Sequence, residues 1–248
     1  MTKARVVASI EARCGSSRLP GKVVADVLGV PAIGRLVRRL RRAETLDAIV
    51  LATTTSPQDN RLEAWAKSEG LPCFRGSEDD VLGRVVGAQT SQRGEIVVEI
   101  TGDCILCDPE LVDMVVRTFL ANDADVVTNA RKPSFPLGAD VQVFRLSALA
   151  EVERTIHDAA VREHVSLYFY EHPEKYRILH LMAPPRWTDP TMRIHLDYDD
   201  DLRFIREVYT RLEPRYGDAF GVEEIMALCR EHPELPEINR NCVERSAR

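Results

Sequence analysis

The chain has 248 residues, of which 44% are hydrophobic and 29% charged, with a formal net charge of −6. That length suffices for one large α/β domain with a substantial core, and the acidic balance argues against a general nucleic-acid or membrane-surface binder, which presents a cationic face. A local basic pocket stays compatible with it, and with neither a long apolar run nor a signal-like segment the sequence predicts a cytoplasmic protein.

In chain order, residues 5–10 read as a short buried strand. They empty into residues 10–22, Ile-Glu-Ala-Arg-Cys-Gly-Ser-Ser-Arg-Leu-Pro-Gly-Lys, which hold Arg13, Arg18 and Lys22 among glycines and serines. Glycines let backbone N–H groups approach an anion closely and the cations neutralise it, so this loop reads as a phosphate holder. Residues 32–43 follow as an amphipathic helix with Ile33, Leu36, Val37 and Leu40 on one face. A strand at 48–52 runs into Thr-Thr-Thr-Ser-Pro, and residues 58–69 form a helix closed by Gly70. A brief strand at 72–74 precedes the loop 75–80, which can cap a helix over 79–92. Residues 96–100, Ile-Val-Val-Glu-Ile, are the strongest strand and end at Thr101-Gly102-Asp103. Pro109 opens a helix to about Ala121, and 125–128 is another strand.

The second half changes character. Residues 139–145 alternate as a strand exposed on one face, 147–154 and 161–171 read as helices, and 176–181 and 192–196 as strands. Residues 199–211 and 222–230 are closing helices. Strands alternating with helices of this length predict a mostly parallel sheet flanked by helices, as one domain over 1–248 with an inserted small sheet element. In such sheets ligands bind beyond the carboxyl ends of the strands, so the loops 11–22, 53–57, 75–80 and 101–108 converge on one crevice.

A phosphate-holding loop works with a divalent cation, which needs carboxylate oxygens. Asp103 ends the central strand and suits either a metal or the turn before Pro109, while Asp108 is the better helix cap. If 192–197 is a strand, Arg193, His195 and Asp197 share one face; Asp197 is assigned to function and Asp199, Asp200 and Asp201 to a solvated first turn favoured by the helix dipole. Cys104 and Cys107 form a lone C-x-x-C without a second pair, and the six cysteines read as incidental reduced thiols. The first loop is neither a Walker A motif, since Val23 follows Gly21-Lys22, nor G-x-G-x-x-G.

Residues 11–22, E-A-R-C-G-S-S-R-L-P-G-K, resemble the A-R-x-G-S-x-R-L-P-G-K signature of the cytidylyltransferases that make CMP-activated sugars. The branch typified by spore-coat polysaccharide biosynthesis protein F is nearest, with CMP-Kdo and CMP-sialic acid synthetases related. Further stretches resemble the family in order: F-R-G-S-E-D-D-V-L-G-R at 74–84, I-T-G-D-C at 100–104, V-R-E-H-V at 161–165 and L-D-Y-x-x-D-L-x-F-I at 196–205. The resemblance implies a nucleotidyltransferase fold of the GT-A-like, Rossmann-like kind, CTP as donor, Mg²⁺ as cofactor, a small-molecule acceptor and a homodimer. It places Ala12, Arg13, Gly15, Ser16, Arg18 and Lys22 on the nucleotide, with Lys22, Arg13 and Asp103 catalytic and Asp103 and Asp197 as metal ligands. Arg75, Ser77 and Asp80 are candidates for orienting the nucleotide; Asp140, Gln142, His164, Arg193 and His195 are candidates for the acceptor. The segment 130–190 is expected to bind the acceptor and build the dimer.

The chain departs from that branch where the acceptor should lie. Leu137 and Gln142 stand where relatives carry Asp and Glu, and Arg193-Ile-His-Leu-Asp197 replaces R-W-T-L-D. An unusual acceptor, such as a phosphonate or a modified sugar acid, is therefore expected. Rival readings are a catalytically silent nucleotide-sugar-binding protein on the same fold and a glycosyltransferase. The first is disfavoured by the retained Asp103, Asp197 and Lys22, the second by the missing D-x-D at Thr101-Gly102-Asp103.

Overall fold

A computed structural model describes residues 3–243. In chain order it comprises strand β1 (Val6–Glu11), the short strands β2 (Asp26–Val27) and β3 (Val30–Pro31), helix α1 (Ala32–Leu40), β4 (Ala48–Thr54), α2 (Asn60–Ser68), β5 (Cys73–Gly76), α3 (Val81–Ser91), β6 (Ile96–Thr101), α4 (Pro109–Ala121) and β7 (Val126–Thr128). The second half holds β8 (Gln142–Arg145), α5 (Leu146–Thr155), α6 (Ala159–Glu163), α7 (Leu167–Glu171), β9 (Ile178–His180), α8 (Asp199–Tyr216) and α9 (Val222–Glu231).

Seven strands form one sheet in the order β5-β4-β1-β6-β8-β7-β9. All pairings are parallel except those of β8, which runs antiparallel between β6 and β7. β1 is central because its run Val-Val-Ala-Ser-Ile can be buried on both faces. Successive side chains of β1 go to opposite layers. Val6, Ala8 and Ile10 join the core with α1, α4, α8 and α9, while Val7 packs on the other face with Val50 and Ala88. On that face Val97, Val126 and Phe144 of the sheet also meet Leu82 and Val85 of α3 and the short helices α5–α7.

The expected parallel sheet is present, and its small separate sheet is the hairpin β2–β3, turned through Leu28 and Gly29 at φ 53° and 78°. The segment 130–190 instead supplies β8 and β9 to the main sheet. The helix expected over 161–171 is broken between Glu163 and Leu167, which frees His164 to face the carboxyl edge of the sheet. The strand expected at 192–196 is reduced to a single bridge between Leu137 and Arg193. Among the described residues no helix is long and apolar enough to cross a membrane.

Candidate active site

The loop after β1 is fixed from beneath. Asp59, wholly buried, accepts the Cys14 backbone N–H at 2.7 Å and the Thr54 hydroxyl. The loop closes on itself with Gly21 N–H donating to the Cys14 carbonyl at 2.9 Å. Gly21 sits at φ 73°, which a side chain would strain, and it turns the chain into the short 3₁₀ segment Lys22–Val24. Lys22 is thereby aimed across the sheet edge, where its Nζ donates to Asp103 Oδ2 and to Asp197 Oδ1, each at 2.7 Å.

Asp103 reaches that point because β6 ends against β1. Gly102 N–H donates to the Glu11 carbonyl at 2.8 Å, and a Cβ at 102 would lie 2.8 Å from that of Ala12. Thr101 Oγ1 donates to Asp103 Oδ1 at 2.7 Å. Asp108, not Asp103, caps α4, accepting from Glu110 N–H at 2.8 Å and from Val222 N–H at 2.7 Å.

Asp197 arrives on an extended segment rather than a strand. Ile194 N–H donates to the Leu137 carbonyl at 2.9 Å and Leu196 N–H to the Asp103 carbonyl at 3.0 Å. Alternation still holds: Ile194 and Leu196 enter the core while Arg193, His195 and Asp197 gather, all buried, around the acidic centre. Arg18 Nη2 donates to Asp197 Oδ1 at 2.6 Å, Arg193 Nη2 lies 3.3 Å from Oδ2 and His195 Nε2 lies 3.4 Å from it.

Asp201 requires a correction. It is not a solvated first-turn residue but fully buried, accepting from Arg193 Nε at 2.8 Å, Arg193 Nη2 at 3.1 Å and Asn239 Nδ2 at 2.9 Å. Its Oδ2 also takes the Asp197 and Tyr198 backbone N–H groups at 2.9 and 3.0 Å, so it orients both Arg193 and Asp197. The cations Arg18, Lys22 and Arg193 thus balance Asp103, Asp197 and Asp201.

Burial alone would push both site carboxyls up, but Lys22 outweighs it at Asp103, and His195 with Lys22 outweighs it at Asp197, leaving both below the carboxylate range. Burial disfavours the Lys22 ammonium, yet the two carboxylates hold its pKa above normal. The centre is fully ionised at neutral pH, with charges fixed before any ligand arrives.

The expected residues fall into three groups. Ala12, Arg13, Gly15, Ser16, Arg18, Lys22, Asp103 and His164 line one cleft of about 590 Å³. Arg13 donates across it to Glu163 at 3.2 Å, and Ser16 Oγ accepts the Leu19 N–H at 3.3 Å. Gln142 and His164 line an adjoining cavity of about 290 Å³, and Arg193 and His195 sit behind Asp197. Arg75, Ser77 and Asp80 form the third group, set off the walls of both cavities. Arg75 braces the Thr54 and Ser56 carbonyls and pairs with Glu63, the Ser77 carbonyl receives Arg84, and Asp80 caps α3 and pairs with Arg162. Asp140 is exposed and lines neither cavity, although its charge reaches Glu99. Cys104 and Cys107 are buried thiols whose pKa burial raises, Cys107 to about 12, which suits inert packing.

Sequence reasoning missed Glu11, which it placed in the first loop, and Glu99, which it read as a strand position; both line the cavity beside Gln142. The one available signal was an acidic residue near the carboxyl end of each of two adjacent strands, two register positions apart.

A parallel sheet whose Gly/Ser loop offers arginines and a lysine to two aspartates at its carboxyl edge defines a nucleotidyltransferase. The chain matches the cytidylyltransferase family over residues 7–230 and belongs to it. It is 32% identical to the spore coat polysaccharide biosynthesis protein SpsF of Bacillus subtilis, covering 91% of this chain and 94% of that one. It is 33% identical to a 3-deoxy-manno-octulosonate cytidylyltransferase of Anaeromyxobacter dehalogenans, over 90% and 84% of the two chains. Among solved structures, a cytidylyltransferase from Leptospira borgpetersenii superposes with a TM-score of 0.89 at 26% identity, covering 98% of this chain and 100% of that one.

Proposed function

We propose that the chain transfers CMP from CTP to an oxygen of a small acceptor and releases pyrophosphate. The observation that carries this reading is the Lys22 ammonium held between Asp103 and Asp197 on the wall of the cleft. Attack on the α-phosphorus needs in-line positioning and neutralisation of charge more than covalent help from the protein. Arg13, Arg18 and Lys22 line the space that a triphosphate would take, with the loop backbone beside them. When the triphosphate enters, Lys22 and Arg18 turn from carboxylate to phosphate oxygens and leave Asp103, on the cleft wall, and the buried Asp197 ionised.

Those carboxylates fit Mg²⁺. The ammonium between them marks a position where both oxygens already meet one cation, and the donors are hard oxygens. Among the described residues no three His, Cys, Asp or Glu side chains gather as a metal nest, so phosphate oxygens and water would complete the shell, as is usual for this ion. Bound there, Mg²⁺ would supply Lewis-acid stabilisation of phosphate charge. His164 and Gln142 face the space left for the acceptor, and a second copy docked through 130–190 would complete the assembly that the family resemblance implies. The test is pyrophosphate release from each of the four nucleoside triphosphates with sugar acids, sugar phosphates and phosphonates as acceptors. CTP-dependent release supports the reading; transfer of sugar from a nucleotide sugar without pyrophosphate release overturns it.

A further inference from the structure

We propose that Glu11 and Glu99 form a subsite for a positively charged nitrogen, so that the acceptor of this chain carries an amino group. This rests on the transfer reaction proposed above and names its acceptor class. The cavity of about 290 Å³ shares Arg13, Glu163 and His164 with the larger cleft, so it opens directly onto the reacting centre. Glu11 of β1 and Glu99 of the adjacent β6 lie two register positions apart on the same face of the sheet, and both line its wall. Glu99 is 5% exposed. Glu11 Oε1 is buried without a hydrogen-bond partner.

The surrounding groups favour a cation. Tyr170 donates its hydroxyl to Gln142 Oε1, which fixes the amide so that Nε2 donates to Glu99 Oε2 at 3.1 Å. Two guanidiniums also line the cavity and are engaged only in part: Arg13 donates to Glu163 at 3.2 Å, and Arg84 Nη1 donates to the Ser77 carbonyl and, at 2.9 Å, to that of Glu78, while Arg84 Nε is buried without a hydrogen-bond partner. Arg84 acts on Glu11 through space only, and Asp140 adds negative charge near Glu99. Burial first, and then their mutual repulsion, raises the Glu11 carboxyl, and burial raises that of Glu99, so ionising both is disfavoured without a cation between them. An ammonium between them has three donors and a full charge; it satisfies Glu11 Oε1 and lets both carboxyls ionise. A hydroxyl or acetamido group in the same place supplies one donor and no charge.

The experiment uses the full chain saturated with a non-hydrolysable CTP analogue and titrated by calorimetry, which needs no turnover. The probes are matched pairs: aminoethylphosphonate against hydroxyethylphosphonate, and glucosamine phosphate against N-acetylglucosamine phosphate. The expected result is at least about tenfold tighter binding of the amine in one pair or both, the scale on which a site built for a polar group rejects its analogue. In Glu99→Gln and Glu11→Gln the ratio falls toward one. Equal affinity within both pairs, preference for the neutral member, or no binding of any probe overturns the inference while leaving the reaction standing. A preference that survives both substitutions also overturns it. Failure of the CTP analogue to bind overturns the reaction itself, and this inference with it.

Discussion

Replacing Lys22 with methionine keeps the length of the side chain and removes its charge. Lys22 makes two 2.7 Å contacts with Asp103 and Asp197, and its side chain is 11% exposed, so nothing in solvent substitutes for it. Two separable losses follow. Removing one preorganised electrostatic stabiliser costs about a hundredfold in turnover or more, equivalent to about 2.7 kcal/mol of barrier at 1.36 kcal/mol per decade. The carboxylates also lose their shared partner. Asp197 keeps Arg18 and Arg193, whereas Asp103 keeps only neutral or weakly charged neighbours, chiefly Thr101, with His195 at longer range. Burial then acts on Asp103 with little opposition and its pKa rises from below to above the ordinary 3.8. The assay is CTP-dependent pyrophosphate release with the best acceptor of the panel, alongside thermal melts across pH. Expected are a drop in kcat of at least about a hundredfold and a shallower acid limb of stability, because an Asp103 no longer held below 3.8 stops losing stability as pH falls. Near-native turnover from a folded variant, or an acid limb as steep as the native one, would refute the assignment of Lys22 as the bridge.

Asp103→Ala should lower turnover by a similar factor of about a hundred or more, read in the same assay. Asp201→Asn removes a charge that Arg193 meets at 2.8 and 3.1 Å, and breaking a buried pair costs about 3–5 kcal/mol, so melting should fall by on the order of 10 °C. Because Asp201 acts through Arg193 and Asp197, kcat should fall further than the KM for CTP rises; the reverse split would assign it to binding. Stability should also decline between about pH 4.5 and 7. Burial chiefly, with Asp140 adding and the bond to Glu11 opposing, lifts Glu99 from 4.5 to about 7. A raised carboxyl contributes stability below its unfolded value and loses it as pH climbs through the folded one. Melts of Glu99→Gln should show a flatter upper limb than the native chain, and parallel limbs would contradict the shift.

Much of the fold was legible because periodicity is a local property. The apolar run of β6, the three- and four-residue spacing of α1 and the Asp108-Pro109 start of α4 each depend on a few neighbouring residues. The first loop was legible for a different reason. Its glycines and cations are contiguous, so the chemistry of the site is written in one stretch. What sequence could not show was the use of charges between distant segments. Asp201 follows Asp199 and Asp200 and has the composition of a helix first turn, yet it is drawn inward by Arg193 eight residues away and by Asn239 beyond α9. Arg75, Ser77 and Asp80 looked like nucleotide contacts because a loop at a strand end is where ligands bind. Their partners Glu63, Arg84 and Arg162 lie on three different helices, which no local pattern reveals.

The same limit explains why donor and acceptor sides of the cleft differ in legibility. A triphosphate is recognised by cations and backbone amides that one short loop can supply, so the loop reads alike in any cytidylyltransferase. The wall proposed for the acceptor is assembled from β1, β6, β8 and the break between α6 and α7, contributing Glu11, Glu99, Gln142 and His164 one at a time. Each is unremarked within its own segment. Gln142 looked like the loss of an acidic residue on β8, but the structure sets it against Glu99 of the neighbouring β6, with Glu11 of β1 one strand further on, so this wall keeps acidic groups. A wall with an acid pair behind an amide selects differently from one with a single exposed acid. On the proposed reading the acceptor is selected by cross-strand neighbours, and exchanging Glu11, Glu99 and Gln142 together should alter acceptor preference more than exchanging any residue of the first loop.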